Sequence, residues 1–384
     1  MQMWKVPLAD VRLGPEEIAA VTAVLHSGWL SMGPKTQEFE AAWAHFLDVK
    51  HAFAVANGTA ALHLACLAAG LAPGDEVLCP ALTFVASANA ILYTGARPVF
   101  VDIAGPHDLN LSVTDAAAKV SERTRAIMVV HYGGYPCDMD AVASLARQHR
   151  LKIIEDCAHA PGARYQSRQG PRPAGTLGDV GCFSFFSNKN LTTGEGGLVV
   201  TNDDALAATI KYLRSHGMTT LTWDRHRGHS FSYDVVGLGY NYRLDEMRAA
   251  LGLVQLQRLE GWNRRRQELT GQYRRELGQL RQLSLPFAQA PTGSTHHLFP
   301  VLLPPGSDRA RFMASLAARG VQTSVHYPPI HRFSYYGKMW PPGYDHRLPH
   351  TEAVAAREVT LPLFPTMTPA QLDLVVQAVR NAAP

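Results

Sequence analysis

Sulfur is scarce in this chain. Among 384 residues there are five cysteines, Cys66, Cys79, Cys137, Cys157 and Cys182, odd in number, widely spaced and without a CxxC pair. That argues against a disulfide framework and against a cysteine-built zinc site; no metal is expected, and a reducing, cytoplasmic setting fits. An excess of one charge is also lacking. Lys and Arg (36) barely outnumber Asp and Glu (32), leaving a formal charge of +4, with no basic arm or helix of the kind that grips nucleic acid. Long apolar runs are missing too. The stretch Ala52–Ala72 is rich in Ala and Leu, but Asn57, Gly58, Thr59 and His63 interrupt it, so it reads as a buried strand and helix rather than a bilayer span. The opening Met1–Pro7 has no signal-peptide run. Neither GxGxxG nor a P-loop occurs, which speaks against a plain nucleotide-binding α/β protein.

What is present is the composition of an ordered protein: 46% hydrophobic and 18% charged residues leave no room for long disorder. From His51 to about Asn202, short β-branched runs alternate with Ala/Leu-rich helical ones. The predicted strands are Ala52–Ala56, Glu76–Cys79, Pro98–Asp102, Ala126–His131, Lys152–Glu155, Gly181–Phe185 and Leu198–Thr201. Helical patterns lie between several of them, at Thr59–Ala69, Phe84–Tyr93, Asp115–Ser121 and Met139–Gln148. Such alternation predicts a mainly parallel sheet with ligands at the carboxyl ends of its strands. Residues 1–250 are expected to form this large domain. Residues 251–384 form a smaller α/β domain with a connecting helix that runs from Asp245 toward Leu277, strands near Leu298–Leu303 and Gln322–His326, and a last helix at Pro369–Arg380.

Three segments carry candidate chemistry. In Gly181-Cys-Phe-Ser-Phe-Phe-Ser-Asn-Lys-Asn-Leu-Thr-Thr-Gly-Glu-Gly-Gly, a buried strand runs into a polar loop bearing Lys189. Lys189 is either a solvated turn lysine or an amine desolvated enough to form an imine. In Ile153-Ile-Glu-Asp-Cys-Ala-His-Ala, a strand ends in Glu155 and Asp156. Asp156 either caps the next helix or keeps a pyridine nitrogen protonated; His159 is a core histidine or a partner of a ring oxygen. In Val55-Ala-Asn-Gly-Thr-Ala, a strand meets a helix start, which is an ordinary cap or a phosphate cradle with Thr59 adding a hydroxyl. Ser184 is a further possible phosphate donor, Phe84 in Thr83-Phe-Val-Ala-Ser a ring to lie on a heterocycle, and Asn241 a turn residue or an amide donor. Each bland reading stands on its own; their joint occurrence in one alternating domain favours the chemical ones.

In this order the motifs resemble the DegT–StrS family of sugar aminotransferases, members of PLP fold type I (aspartate-aminotransferase-like). The likeness runs from Gly28-Trp-Leu-Ser-Met-Gly-Pro and Phe39-Glu through the segments above. It continues to Gly239-Tyr-Asn-Tyr-Arg, Val325-His-Tyr-Pro-Pro-Ile-His and Leu361-Pro-Leu-Phe-Pro. The resemblance implies pyridoxal 5'-phosphate held as a Schiff base on Lys189, with Asp156 at the pyridinium nitrogen and Phe84 stacked on the ring. It implies Gly58, Thr59 and Ser184 at the phosphate, and Asn241 reaching that phosphate in the neighbouring subunit of a homodimer with shared sites. Where relatives often carry glutamine, this chain has His159. Some relatives with histidine in place of the lysine are dehydratases, so Lys189 argues for transamination.

The expected reaction moves an amino group from an amino acid, glutamate by analogy, to a nucleoside-diphosphate 4-keto-6-deoxy sugar. A keto-cyclitol or other keto compound is the alternative acceptor, and a cofactor-binding regulator without turnover the alternative class. Arg225 and His229, in Trp223-Asp-Arg-His-Arg-Gly-His-Ser-Phe-Ser-Tyr, are candidate contacts of the diphosphate and base; Tyr327 and His331 are candidates for the sugar pocket.

Overall fold

The computed structural model describes residues 4–168, 170–220, 228, 232–289, 293–341 and 344–383. In chain order its strands are β1 (His51–Val55), β2 (Glu76–Pro80), β3 (Arg97–Val101), β4 (Ile103–Gly105), β5 (Asp108–Leu111), β6 (Thr124–Val130), β7 (Lys152–Asp156), β8 (Arg164–Ser167), β9 (Gly170–Pro173), β10 (Val180–Ser184), β11 (Gly197–Thr201), β12 (Phe299–Leu302) and β13 (Glu358–Leu361). Seven of them form one sheet in the order β1-β11-β10-β7-β6-β2-β3. Strands β3, β2, β6, β7 and β10 are parallel neighbours. Strand β11 runs antiparallel to β10 and β1 antiparallel to β11, so β11 alone is reversed. The mainly parallel sheet expected from the alternating pattern is present. Runs such as Ile127–Val130 are buried throughout, as strands covered on both faces must be.

The helix Gly58–Ala68 starts at Asn57, whose Oδ1 accepts the Ala60 amide at 2.8 Å, and it lies across β10 and β11. The predicted helix at Phe84 starts only at Ala86, which leaves Phe84 in the turn ahead of it. The long helix spans Glu246–Leu277 and is capped by Asp245, which accepts the Arg248 amide at 2.9 Å. Its first half packs against the helices Pro15–Ser27 and Pro34–Leu47. Leu269, Tyr273 and Leu277 from its second half enter a separate core with β12, β13 and the last helix, Pro369–Ala382. Val6 belongs to that core as well; its amide bonds the Gly320 carbonyl and its carbonyl accepts the Gln322 amide.

The second predicted strand of this lobe does not form. Within Gln322–His326 only Ser324 bridges, to Thr360, and the partner of β12 is β13. A buried glutamate, Glu358, opens β13 and breaks the apolar pattern that marks a strand in sequence.

Glu246 ties the long helix to the helix Pro34–Leu47. It is buried, and its carboxylate accepts the amides of Gly33 (2.8 Å), Lys35 (2.7 Å) and Thr36 (2.8 Å) and the Thr36 hydroxyl (2.7 Å). These are the orphan donors at the start of the helix Pro34–Leu47, where an anion is doubly favoured. Glu246→Ala should therefore lower the free energy of unfolding by about 3 kcal/mol, because the donors lose a charged acceptor inside the protein. Urea denaturation reads this directly, and an unchanged midpoint would refute it.

Candidate active site

Lys189 lies in the loop joining β10 to the reversed β11. The loop folds back on itself: the Phe185 amide donates to the Gly196 carbonyl, the Thr193 amide to the Phe185 carbonyl and the Lys189 amide to the Phe186 carbonyl. Asn190, next to the lysine, is buried and fully engaged. Its Nδ2 donates to the Thr295 carbonyl and to Asn263 Oδ1, both at 2.9 Å, and its Oδ1 accepts from His297 Nδ1 at 2.9 Å. The lysine is thus positioned by a neighbour that two distant segments grip. Burial lowers the Lys189 amine to about 8, while the charge of Asp156 pulls the other way and favours the ammonium.

Asp156 closes β7 and is only 5% exposed. Ser87 Oγ donates to its Oδ2 at 2.8 Å and the Ala158 amide to its Oδ1 at 3.1 Å. Burial raises this carboxyl above the ordinary range, against those two bonds and the charges of Lys189 and His131. Its neighbour Glu155 points the other way and is consumed structurally. It accepts from His131 Nε2 (2.9 Å) and from the amides of Gly175 (2.8 Å), Leu177 (2.7 Å) and Gly178 (2.6 Å). His131 Nδ1 takes the Cys137 amide, so the buried group His131, Glu155 and Cys157 has no histidine lone pair left for a metal.

Gly58, Thr59 and Ser184 come together where the helix Gly58–Ala68 begins. A Cβ on Gly58 would sit 2.8 Å from Ser184 Cβ, so only glycine permits this approach. Asn57 caps Ala60, and the Gly58 and Thr59 amides have no acceptor among the described residues. Phe84 is 57% exposed and its ring centroid lies 6.0 Å from that of Tyr327. His159 is buried with both nitrogens engaged: Nδ1 accepts the Gly133 amide at 3.2 Å, and Nε2 lies 2.9 Å from the Tyr327 hydroxyl. Its ring stacks on His297 at 4.5 Å, and burial together with the Lys189 charge holds it neutral, well below the usual histidine range. To bond an external oxygen, His159 must first release Tyr327.

Tyr327 therefore joins the site. His331 does not. It lines a separate cavity of about 530 Å³ with Trp340, Tyr344 and His346, bordered by none of Lys189, Asp156 or Phe84, and its Nε2 is 2.5 Å from Glu352. Asn241 is exposed, in a strip whose backbone bridges Ser215. Arg225 and His229 lie outside the described residues. A cavity of about 1940 Å³, bordered by Asp138, Tyr165 and Phe287, touches none of these groups. Ser87, Asn190 and His297 escaped the sequence reading. Ser87 lay within a recognised motif and lacked only a partner; the other two gain meaning from contacts more than a hundred residues apart.

Comparison with known proteins gives the chain its family. Residues 11–380 match the DegT/DnrJ/EryC1/StrS aminotransferase family, and the chain belongs to it. The spore coat polysaccharide biosynthesis protein SpsC of Bacillus subtilis is 41% identical over 382 residues, covering 98% of this chain and 96% of that protein. Among solved structures, Helicobacter pylori PseC, an aminotransferase involved in the biosynthesis of pseudoaminic acid, superposes with a TM-score of 0.90 at 30% identity, covering 98% of both chains. DesV of S. venezuelae, in complex with a ketimine intermediate, does so with a TM-score of 0.89 at 37% identity, again over 98% of both. The fold is PLP fold type I and the protein is a PLP-dependent transaminase of the sugar-aminotransferase kind. The residues present fit that cofactor: a desolvated amine for its aldehyde, a buried carboxylate for its ring nitrogen, an uncovered aromatic face, and a helix start with free amides for its phosphate.

A desolvated amine is neutral above its lowered titration point, so Lys189 in the cofactor-free protein should condense with 4-nitrobenzaldehyde half-maximally near pH 8, where an exposed lysine needs about pH 10.4. Asp156→Asn removes the charge that favours the ammonium and should move the midpoint lower. Borohydride trapping followed by peptide mass analysis measures both; a midpoint near that of free lysine refutes the buried-amine geometry.

Proposed function

We propose that the protein transfers the amino group of glutamate to the keto carbon of a nucleoside-diphosphate 4-keto-6-deoxy sugar, in the cytoplasm, as a homodimer with shared sites. One observation carries this reading. A desolvated amine, Lys189, stands within electrostatic reach of a buried acid, Asp156, at the carboxyl edge of a parallel sheet. Relatives named for spore coat polysaccharide and pseudoaminic acid biosynthesis support a sugar as the acceptor.

Pyridoxal phosphate, when bound, supplies an aldehyde that takes up the amino group and a ring that draws electrons from the reacting carbon. The chain does the rest. Asp156 keeps a proton on the facing ring nitrogen, and its burial makes that pairing favourable. The Gly58 and Thr59 amides and the Ser184 hydroxyl hold the phosphate. Phe84 covers one face of the ring and excludes water from it. Lys189 Nζ, once released, carries the proton away from the substrate carbon, which a neutral amine near pH 8 is suited to do. Tyr327, fixed by His159, borders the sugar, and Arg225 and His229 are assigned to the diphosphate and base of the substrate. Val235, Val236 and Leu238 are exposed just ahead of Asn241, an apolar strip that a second protomer would cover while Asn241 reaches the partner's phosphate site.

The protein as purified should be yellow, and borohydride should fix the cofactor on Lys189. With ¹⁵N-glutamate and a panel of keto sugar nucleotides and keto-cyclitols, label should appear in the sugar nucleotides, and Lys189→Ala should lose roughly 10³-fold or more of that rate. Turnover of keto-cyclitols alone overturns the sugar assignment; exchange at an undiminished rate in Lys189→Ala overturns the mechanism.

A further inference from the structure

A second line of polar groups reaches the site from the C-terminal lobe. Its inner end is Glu358, the first residue of β13, with no exposure to solvent. Oε2 of Glu358 accepts the His326 amide at 2.9 Å, and Oε1 lies 2.5 Å from the Thr360 hydroxyl. Thr360 Oγ1 is in turn 2.9 Å from His326 Nδ1. The line has one open end, His326 Nε2, which has no partner among the described residues. The ring borders the site: the Lys189 charge bears on His326, and the His326 and Tyr327 ring centroids lie 4.9 Å apart, edge to face.

A hydroxyl between two such groups can point only one way at a time. When Glu358 is ionised, Thr360 donates to it, Nδ1–H donates to Thr360, and Nε2 keeps its lone pair. When a proton arrives at Nε2, the Nδ1 hydrogen can pass to Thr360 Oγ1 while the Thr360 hydrogen passes to Glu358 Oε1. The ring ends neutral with its hydrogen on Nε2, and the added proton rests on Glu358. Each O–H or N–H bond broken along the line is matched by one formed.

We propose that Glu358, acting through Thr360, sets which nitrogen of His326 carries hydrogen, so that Nε2 accepts a hydrogen bond from the bound keto substrate in one state and donates one in the other. Glu358 and Thr360 are then positioning residues, and His326 is the group that meets the substrate. The identity of that substrate rests on the function proposed above; the relay itself does not.

The surroundings let Glu358 change state in a useful range. Burial pushes it up to about 8, opposed by the Thr360 and His326 bonds and by Arg309, whose guanidinium lies beside the Glu358 and Ala355 carbonyls. His326 stays neutral, lowered to about 4 by burial and the Lys189 charge. Tyr132, which donates to the His326 carbonyl, is raised by burial, as is Tyr327; His159 and His297 are lowered. Besides Glu358, only Lys189 among these facing groups is placed near pH 8, and in the loaded enzyme the cofactor occupies it.

The test is ¹⁵N NMR of histidine-labelled holoenzyme, with His326 assigned by its loss in His326→Gln. Wild type should show hydrogen on Nε2 at pH 6.5 and on Nδ1 at pH 9.5. In Glu358→Gln the amide nitrogen can only donate to Thr360, so Nε2–H should persist at both values; Thr360→Val, which cuts the line, should likewise abolish the change. The wild-type KM for the keto sugar should shift several-fold across pH 8, while that of Glu358→Gln stays flat. A wild-type ring that keeps one tautomer, or a Glu358→Gln ring that still switches, overturns the proposal. Tautomer switching without turnover of any keto sugar would overturn the substrate reading and leave the relay standing.

Discussion

A single amine held out of water governs the site. Lys189 loses its hydration among groups that leave it near neutrality, and the negative charge that opposes this, Asp156, is itself raised by burial and so restrains it weakly. This balance survives only while the loop stays in place. The grip is on Asn190, held by Thr295, Asn263 and His297. Asn263 lies on the long helix, whereas Thr295 and His297 precede β12. The long helix and the segment before β12 thus meet at the residue beside the amine, and a loosened Asn190 would let water back in and return the lysine to ordinary basicity.

Two adjacent acids at the end of β7 show how a strand sorts chemistry. Successive side chains on a strand face opposite sides. Glu155 turns into a shell of amides and His131, where every lone pair has work that is purely structural; the Asp156 carboxylate, under the charge of Lys189, has Ser87 and Ala158 as its only hydrogen-bond partners among the described residues. One acid stiffens the strand end that presents the other.

Much of this was legible in the chain itself. Buried parallel strands are unbroken apolar runs, so all seven strands of the sheet were marked to within two residues of their bounds, and the segments bearing Lys189, Asp156, Gly58 and Ser184 could be set at strand ends. What stayed hidden depends on long-range partners. Glu358 drew no reading, because nothing local reveals the hydroxyl and amide that satisfy it. His326 was placed in a strand that does not form, since only Ser324 finds a partner across from Thr360. His331 shared a motif with Tyr327, but the intervening Pro328-Pro329-Ile330 carries it past the site to Glu352. Phe84 was read into a helix that starts after it, and that displacement is what frees its ring.

The single reversed strand has a mechanical consequence. Because β11 returns alongside β10, both stems of the lysine-bearing segment are hydrogen-bonded into the sheet interior at the same edge, like a bracket bolted to a wall at two points. A parallel β11 would require a crossover to the opposite end of the sheet, and the two stems of the amine-bearing segment would then no longer lie side by side. Here both stems of the amine-bearing loop are held by core strands, and the loop between them is braced by its own backbone bonds.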